Sequence, residues 1–113
     1  MPCFPRAARI LRSEEFAAVR KSGVAVGGRG LKLACRPGAG ARLGIVVGSS
    51  VGNAVIRNRI KRVVREHYRL ECARYPKGDC VVIARPEAAR LNNDELRGAL
   101  EQAAKRLKEK LTS

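Results

Sequence analysis

A chain of 113 residues, 45% of them hydrophobic, has the length and apolar content of one modest domain. Its 24 Lys and Arg against 10 acidic residues leave a net charge of +14, which repels itself on folded surface unless a polyanion neutralises it, so nucleic acid is the expected partner. The four cysteines lack C-x-x-C spacing, no run of about 18 apolar residues occurs and no apolar leader opens the chain; zinc, membrane spanning and secretion are not expected, and a cytoplasmic location with reduced thiols is.

Ser13 is placed to cap a helix over about 14–21, with Glu14 and Glu15 in its first turn, Phe16 and Val19 on one face and Gly23 as its stop. Four nearby glycines leave room for only a short strand around Val24–Val26. Leu31, Leu33 and Cys35 alternate with Lys32, Ala34 and Arg36, the period of a half-buried strand, and residues 37–40 read as a turn. Leu43–Val47 and Cys80–Ala84 are short β-branched runs suited to buried strands. Between them a helix is predicted over about Ala54–Cys72. Asn92 and Glu95 form a capping box for a last helix with Leu96, Leu100, Ala103, Leu107 and Leu111 on one face. The order is αβββαβα in a single domain over residues 1–113, with residues 1–8 loosely ordered.

The central helix carries the strongest functional signal. Asn53 suits its N-cap, accepting the amide of Ile56. Ile56, Ile60, Val63, Val64, His67 and Leu70 fall on one side, which must face the sheet. Arg57, Lys61 and Arg65 stack on the opposite side, with Asn58, Arg62 and Arg69 alongside and Arg59 projecting from the other border of the apolar stripe. Like charges at i,i+4 cost the isolated helix a few tenths of a kcal/mol per pair, which points to retention for a polyanion that the Arg fork can grip. A membrane-surface role is disfavoured because the helix lacks Trp and Phe anchors.

His67 has no Ser, Cys or carboxylate partner in the sequence and reads as a packed or bordering histidine. Tyr68 and Tyr75 have rings that could stack on bases and equally could fill the core. The acidic residues are scattered among arginines with no convergent cluster, and a G-x-x-x-x-G-K-[ST] loop is absent. No catalytic residue is expected in this chain. A basic surface without catalytic groups leaves a second possibility open, a ribosome-associated or RNA-chaperone protein.

The string Gly52-Asn53-Ala54-Val55-Ile56-Arg57-Asn58-Arg59-Ile60-Lys61-Arg62 closely resembles the RNR motif of the bacterial ribonuclease P protein subunit family. Glu14-Glu15-Phe16, Arg42-Leu43-Gly44, Pro76-Lys77-Gly78-Asp79 and residues 81–86 follow that family's order and spacing, so the resemblance covers roughly residues 9–107. It implies a two-layer α/β sandwich (α+β) with a four-stranded sheet and a left-handed βαβ crossover, opposite to the general hand. It also implies a subunit of an endoribonuclease whose RNA carries out Mg²⁺-dependent hydrolysis of the 5′ leader from precursor tRNA, with no obligate protein partner. By the same resemblance Asn53, Arg57, Asn58, Arg59, Lys61, Arg62 and Arg65 bind the catalytic RNA, and a leader cleft lies between the first helix and the open sheet face; Phe16 carries over to that cleft, and Arg20, Lys32 and Arg36 are the cations expected to line it.

Two departures from the family pattern bear on that reading. Ser49 and Ser50 stand where relatives commonly carry two lysines, which weakens the local positive potential. Positions commonly aromatic hold Arg20, Leu31 and Ala34, leaving Phe16 as the stacking platform, although helical periodicity alone makes Phe16 a core residue. Stacking contributes roughly 1–3 kcal/mol per base, so leader binding here is expected to lean on Arg20, Lys32 and Arg36.

Overall fold

The computed structural model describes residues 17–19, 21, 23–38 and 41–112. Residues 17–19 and 21 are helical. They are followed by strands β1 (Val24–Gly27), β2 (Leu31–Pro37) and β3 (Ala41–Val47), helix α1 (Ala54–Leu70), strand β4 (Gly78–Ala84) and helix α2 (Asn93–Thr112), with 3₁₀ turns at Cys72–Arg74 and Pro86–Arg90. Residues 1–8 and half of the predicted first helix, Phe16 and Arg20 included, lie outside the described residues.

The sheet order is β1-β2-β4-β3. β4, the last strand in the chain, is therefore central, antiparallel to β2 and parallel to β3. Only a central strand covered on both faces suits the run Cys80-Val81-Val82, in which every side chain is fully buried. A parallel neighbour needs a crossover, and α1 supplies it between β3 and β4.

Alternation divides the sheet into two faces. Leu33, Cys35, Leu43, Cys80 and Val82 share the main core with Ile60, Val63, Val64 and Tyr68 of α1 and Leu96, Leu100, Ala103, Ala104 and Leu107 of α2. On the opposite face Ala34 and Val81 are buried against Val19 of the helical residues, with Ala25, Val46 and Ile83 packed around them. The predicted half-buried β2 is thus buried on both sides over its centre. Cys35 and Cys80 sit directly across from one another in the main core as free thiols.

Caps explain the helix ends. Asn53 is extended, and its side-chain Oδ1 accepts the Ile56 amide at 3.0 Å as expected. Asn92 and Glu95 form the predicted reciprocal box, with bonds of 3.0 and 2.8 Å. α1 stops two residues short of the predicted end, where the Glu71 amide donates to the His67 carbonyl and the chain tightens into the Cys72–Arg74 turn. That turn brings Tyr75 back, its ring edge-on to Tyr68 at 4.8 Å. Leu70, assigned to the apolar side from periodicity, is 65% exposed, while Tyr68 is 1% exposed. The two lie about equally far to either side of the stripe's centre. Only Tyr68 has Tyr75 to pack on.

Gly78 opens β4 at φ +129°, and a Cβ there would run into the Arg36 carbonyl and the backbone of residues 37–38. Gly98, exposed within α2, has open space around it. Gly78→Ala should therefore lower stability by on the order of 2 kcal/mol, whereas Gly98→Ala should raise it by about 0.5–1 kcal/mol. Chemical denaturation of the two variants checks the opposite signs.

Candidate nucleic-acid interface

The buried side of α1 is Ile60, Val63, Val64, His67 and Tyr68. Packing that stripe on the sheet leaves Asn58, Arg62, Arg65 and Arg69 exposed, and Arg57, Arg59 and Lys61 half-buried at its borders. Arg57 does not stand opposite the apolar stripe as the sequence suggested. Its Cα lies close to the border occupied by Val64 and Tyr68, and its Nε is buried without a hydrogen-bond partner. The predicted Arg57–Lys61–Arg65 stripe thus climbs from the core edge to the outer face. Of the acidic residues only Glu66 lies within α1, so its charge is positive along its length.

Asn53 joins the expected group as a cap, its oxygen committed to the helix backbone. Arg59 leans the other way, and its Nη1 donates to Asn93 Oδ1 at the start of α2 at 2.9 Å. The sequence contained no signal for that contact, because the two residues are 34 apart and meet only when α1 and α2 pack on the same sheet face.

His67 is 5% exposed. Its Nδ1 is 2.7 Å from the Tyr75 hydroxyl, while its Nε2 is 3.9 Å from the nearest Glu101 oxygen, too far for a hydrogen bond. Burial holds the ring's pKa below its ordinary value against the pull of Glu101. Its neutral, enclosed ring is a packing element. Tyr68 and Tyr75 are buried as well, which resolves their two readings in favour of the core.

On the open sheet face the predicted cleft cations separate. Lys32 is exposed opposite Ile83, whereas Arg36 lies opposite Asp79 and reaches its Oδ2 at 3.3 Å. Arg42, from β3, grips the same carboxylate with two bonds of 2.8 Å. Arg36 is therefore partly compensated rather than a bare cleft charge, a pairing that needed the β2-β4-β3 register to appear. Leu31 is turned into the main core with the helices, so it could not have served this face. Ala34 does lie on it, and the floor formed with Val81, Val46 and Ile83 is aliphatic.

Comparison with known proteins adds family to geometry. The model of the Ribonuclease P family matches residues 4–108. The chain belongs to the ribonuclease P protein family. It is 44% identical over 104 residues to the ribonuclease P protein component of Shouchella clausii, covering 88% of this chain and 85% of that one. With the component from Desulforapulum autotrophicum it shares 40% over 108 residues, 92% of each. Among solved structures, the Staphylococcus aureus RNase P protein superposes with a TM-score of 0.84 at 32% identity, over 91% of this chain and 97% of that one. The Thermotoga maritima RNase P protein gives 0.77 at 33%, over 87% and 96%. The mixed α+β fold with its four-stranded sheet is the family's, and these likenesses do not favour a ribosome-associated or chaperone protein.

The Asp79 carboxyl is held below the usual carboxylate range chiefly by the Arg42 hydrogen bonds, with the Arg42 and Arg36 charges overcoming burial. Because its folded pKa lies below the unfolded value of about 3.9, the stabilisation is complete above that pH and is lost as pH falls through the folded pKa. Asp79→Asn should be less stable than the parent at pH 7, and the gap should close as the pH drops below about 4. Denaturation midpoints across that range test it; a gap independent of pH would remove the carboxylate as its cause.

Proposed function

We propose that the positive face of α1 docks the catalytic RNA of ribonuclease P, so that the chain works as the protein subunit of the endoribonuclease that frees mature tRNA 5′ ends. The observation that carries this reading is the combination of an exposed Asn58, Arg62 and Arg65 with half-buried Arg57, Arg59 and Lys61 on one helix, in a chain of this family. Arginines rooted at the core edge lose less side-chain freedom on meeting a phosphate than fully exposed ones. Asn53 contributes by capping the helix and Asn58 by positioning.

The open face would guide the single-stranded leader of precursor tRNA, with Lys32 and Arg36 supplying charge and Arg20 and Phe16 the remainder of the cleft. Its aliphatic floor supports a contact that is electrostatic more than stacked. Among the described residues no group of three or more His, Cys, Asp or Glu side chains converges, so the donor set does not fit a Mg²⁺ cage, and we assign the ion and the phosphodiester hydrolysis to the RNA. No described helix is long and apolar enough to cross a membrane. We place the protein in the cytoplasm as one domain over residues 1–113, with RNA and precursor tRNA as partners and no obligate protein partner.

Reconstitution with a bacterial ribonuclease P RNA is the test: the protein should accelerate leader removal at low Mg²⁺, and tight RNA binding with no acceleration would overturn the reading. If Arg57, Lys61, Arg62 and Arg65 each contact a phosphate, the log–log salt dependence of RNA affinity should contain a slope of roughly −3 to −4 from those four. Arg57→Ala with Arg65→Ala should make it shallower by about 1.5. An unchanged slope would take the helix out of the interface.

A further inference from the structure

Arg59 differs from the other cations of α1 in being held from outside the helix. Its Nη1 donates to Asn93 Oδ1 at 2.9 Å, and Asn93 belongs to the first turn of α2, a well-anchored segment. Leu91 and Leu96 on either side are 5% and 0% exposed. The Asn92–Glu95 box closes the turn, and the Leu96 amide donates to the Asn92 carbonyl at 2.9 Å. Asn93 takes no part in the capping bonds. Its side chain is spent on Arg59.

The chemistry of the acceptor matters. Asp94 is the next residue, but its carboxylate is engaged by Arg97 at 2.8 Å. Arg59 thus receives a neutral amide, which fixes the guanidinium's direction without cancelling its charge. One bond to Asn93 leaves four of the five guanidinium N–H donors for another acceptor. Beyond it lies a shallow, open surface depression of about 570 Å³ lined by Arg59, Arg90, Leu91, Asn92, Asn93 and Asp94. Arg90, at the end of the Pro86–Arg90 turn, is an exposed second cation on its wall.

We propose that Asn93 is a positioning residue for Arg59, and that Arg59 and Arg90 together seat one backbone phosphate of the docked RNA, extending the interface from α1 onto the start of α2. This rests on the docking reading above. An acidic residue at position 93 would hold Arg59 more tightly but neutralise it, and an apolar one would release it. Asparagine does neither.

The experiment measures affinity for a bacterial ribonuclease P RNA, with thermal melting of each variant. Asn93→Asp places a carboxylate in the first turn of α2, where the helix dipole favours it, so its melting temperature should equal or exceed the parent's. Its RNA affinity should nevertheless fall by about fivefold to tenfold, the scale of one net hydrogen bond. Asn93→Ala should weaken binding about threefold in the parent and by less than about twofold when Arg59→Ala is already present, since residues acting through one contact are not additive. Arg90→Ala should make the salt slope shallower by roughly 0.7 to 0.9. Asn93→Asp binding RNA as well as the parent overturns the proposal, as does an Asn93→Ala loss of equal size in both backgrounds. A parent protein that does not bind the RNA overturns the docking reading and this inference with it, an outcome distinct from intact parent binding with indifferent Asn93 variants.

Discussion

Burial of one side of α1 against the sheet is the interaction on which the other features depend. The helix is electrostatically unfavourable by itself, because Arg57, Lys61 and Arg65 repel one another along it by a few tenths of a kcal/mol per pair. Against that, Ile60, Val63, Val64 and Tyr68 are each at most 3% exposed, and burying a side chain of this size contributes roughly 1.5–3 kcal/mol. Packing exceeds repulsion by about an order of magnitude. The fold can therefore hold a cation array in place that the helix could not maintain alone, and the array is ready before any polyanion arrives.

That packing is tied to topology. β3 and β4 are adjacent and parallel although α1 and a 3₁₀ turn separate them in the chain, so the helix must return the backbone to the end of the sheet at which β3 began. The same geometry sets α2 against the same face, which is what brings Asn93 to Arg59. A residue remote in sequence becomes part of the basic surface because two helices share one sheet face.

The two sheet faces divide the labour. One is filled by helices and is continuous with the main core; the other has a small aliphatic centre around Ala34 and Val81, flanked by Lys32 and by the Arg36–Asp79–Arg42 group. One carboxylate between two guanidiniums leaves the group cationic while ordering both. A face built this way offers a nucleic-acid strand charge and, among the described residues, little to stack on, since Ala34 and its neighbours Val81, Val46 and Ile83 are aliphatic.

Much of the protein was legible without coordinates because its signals are local. Period-two alternation located β2, the β-branched runs located β3 and β4, and Asn53 and the Asn92–Glu95 pair marked two helix starts through hydrogen bonds spanning three residues. The wording of the segment from Gly52 to Arg62 indicated the family, since a motif flanked by matching segments constrains more than charge does. Periodicity could not choose between Tyr68 and Leu70, which lie on either border of the apolar stripe; the border position of Arg57 follows from 100° per residue alone, and packing added only the burial of its Nε. The partners of Arg36 and Arg59 were equally hidden, because Asp79 and Asn93 come near only through strand register and helix packing. Sequence determined which elements form and the sign of the surface; tertiary structure decided which charges are held, by what, and at what angle, since those depend on contacts between residues 34 to 43 positions apart.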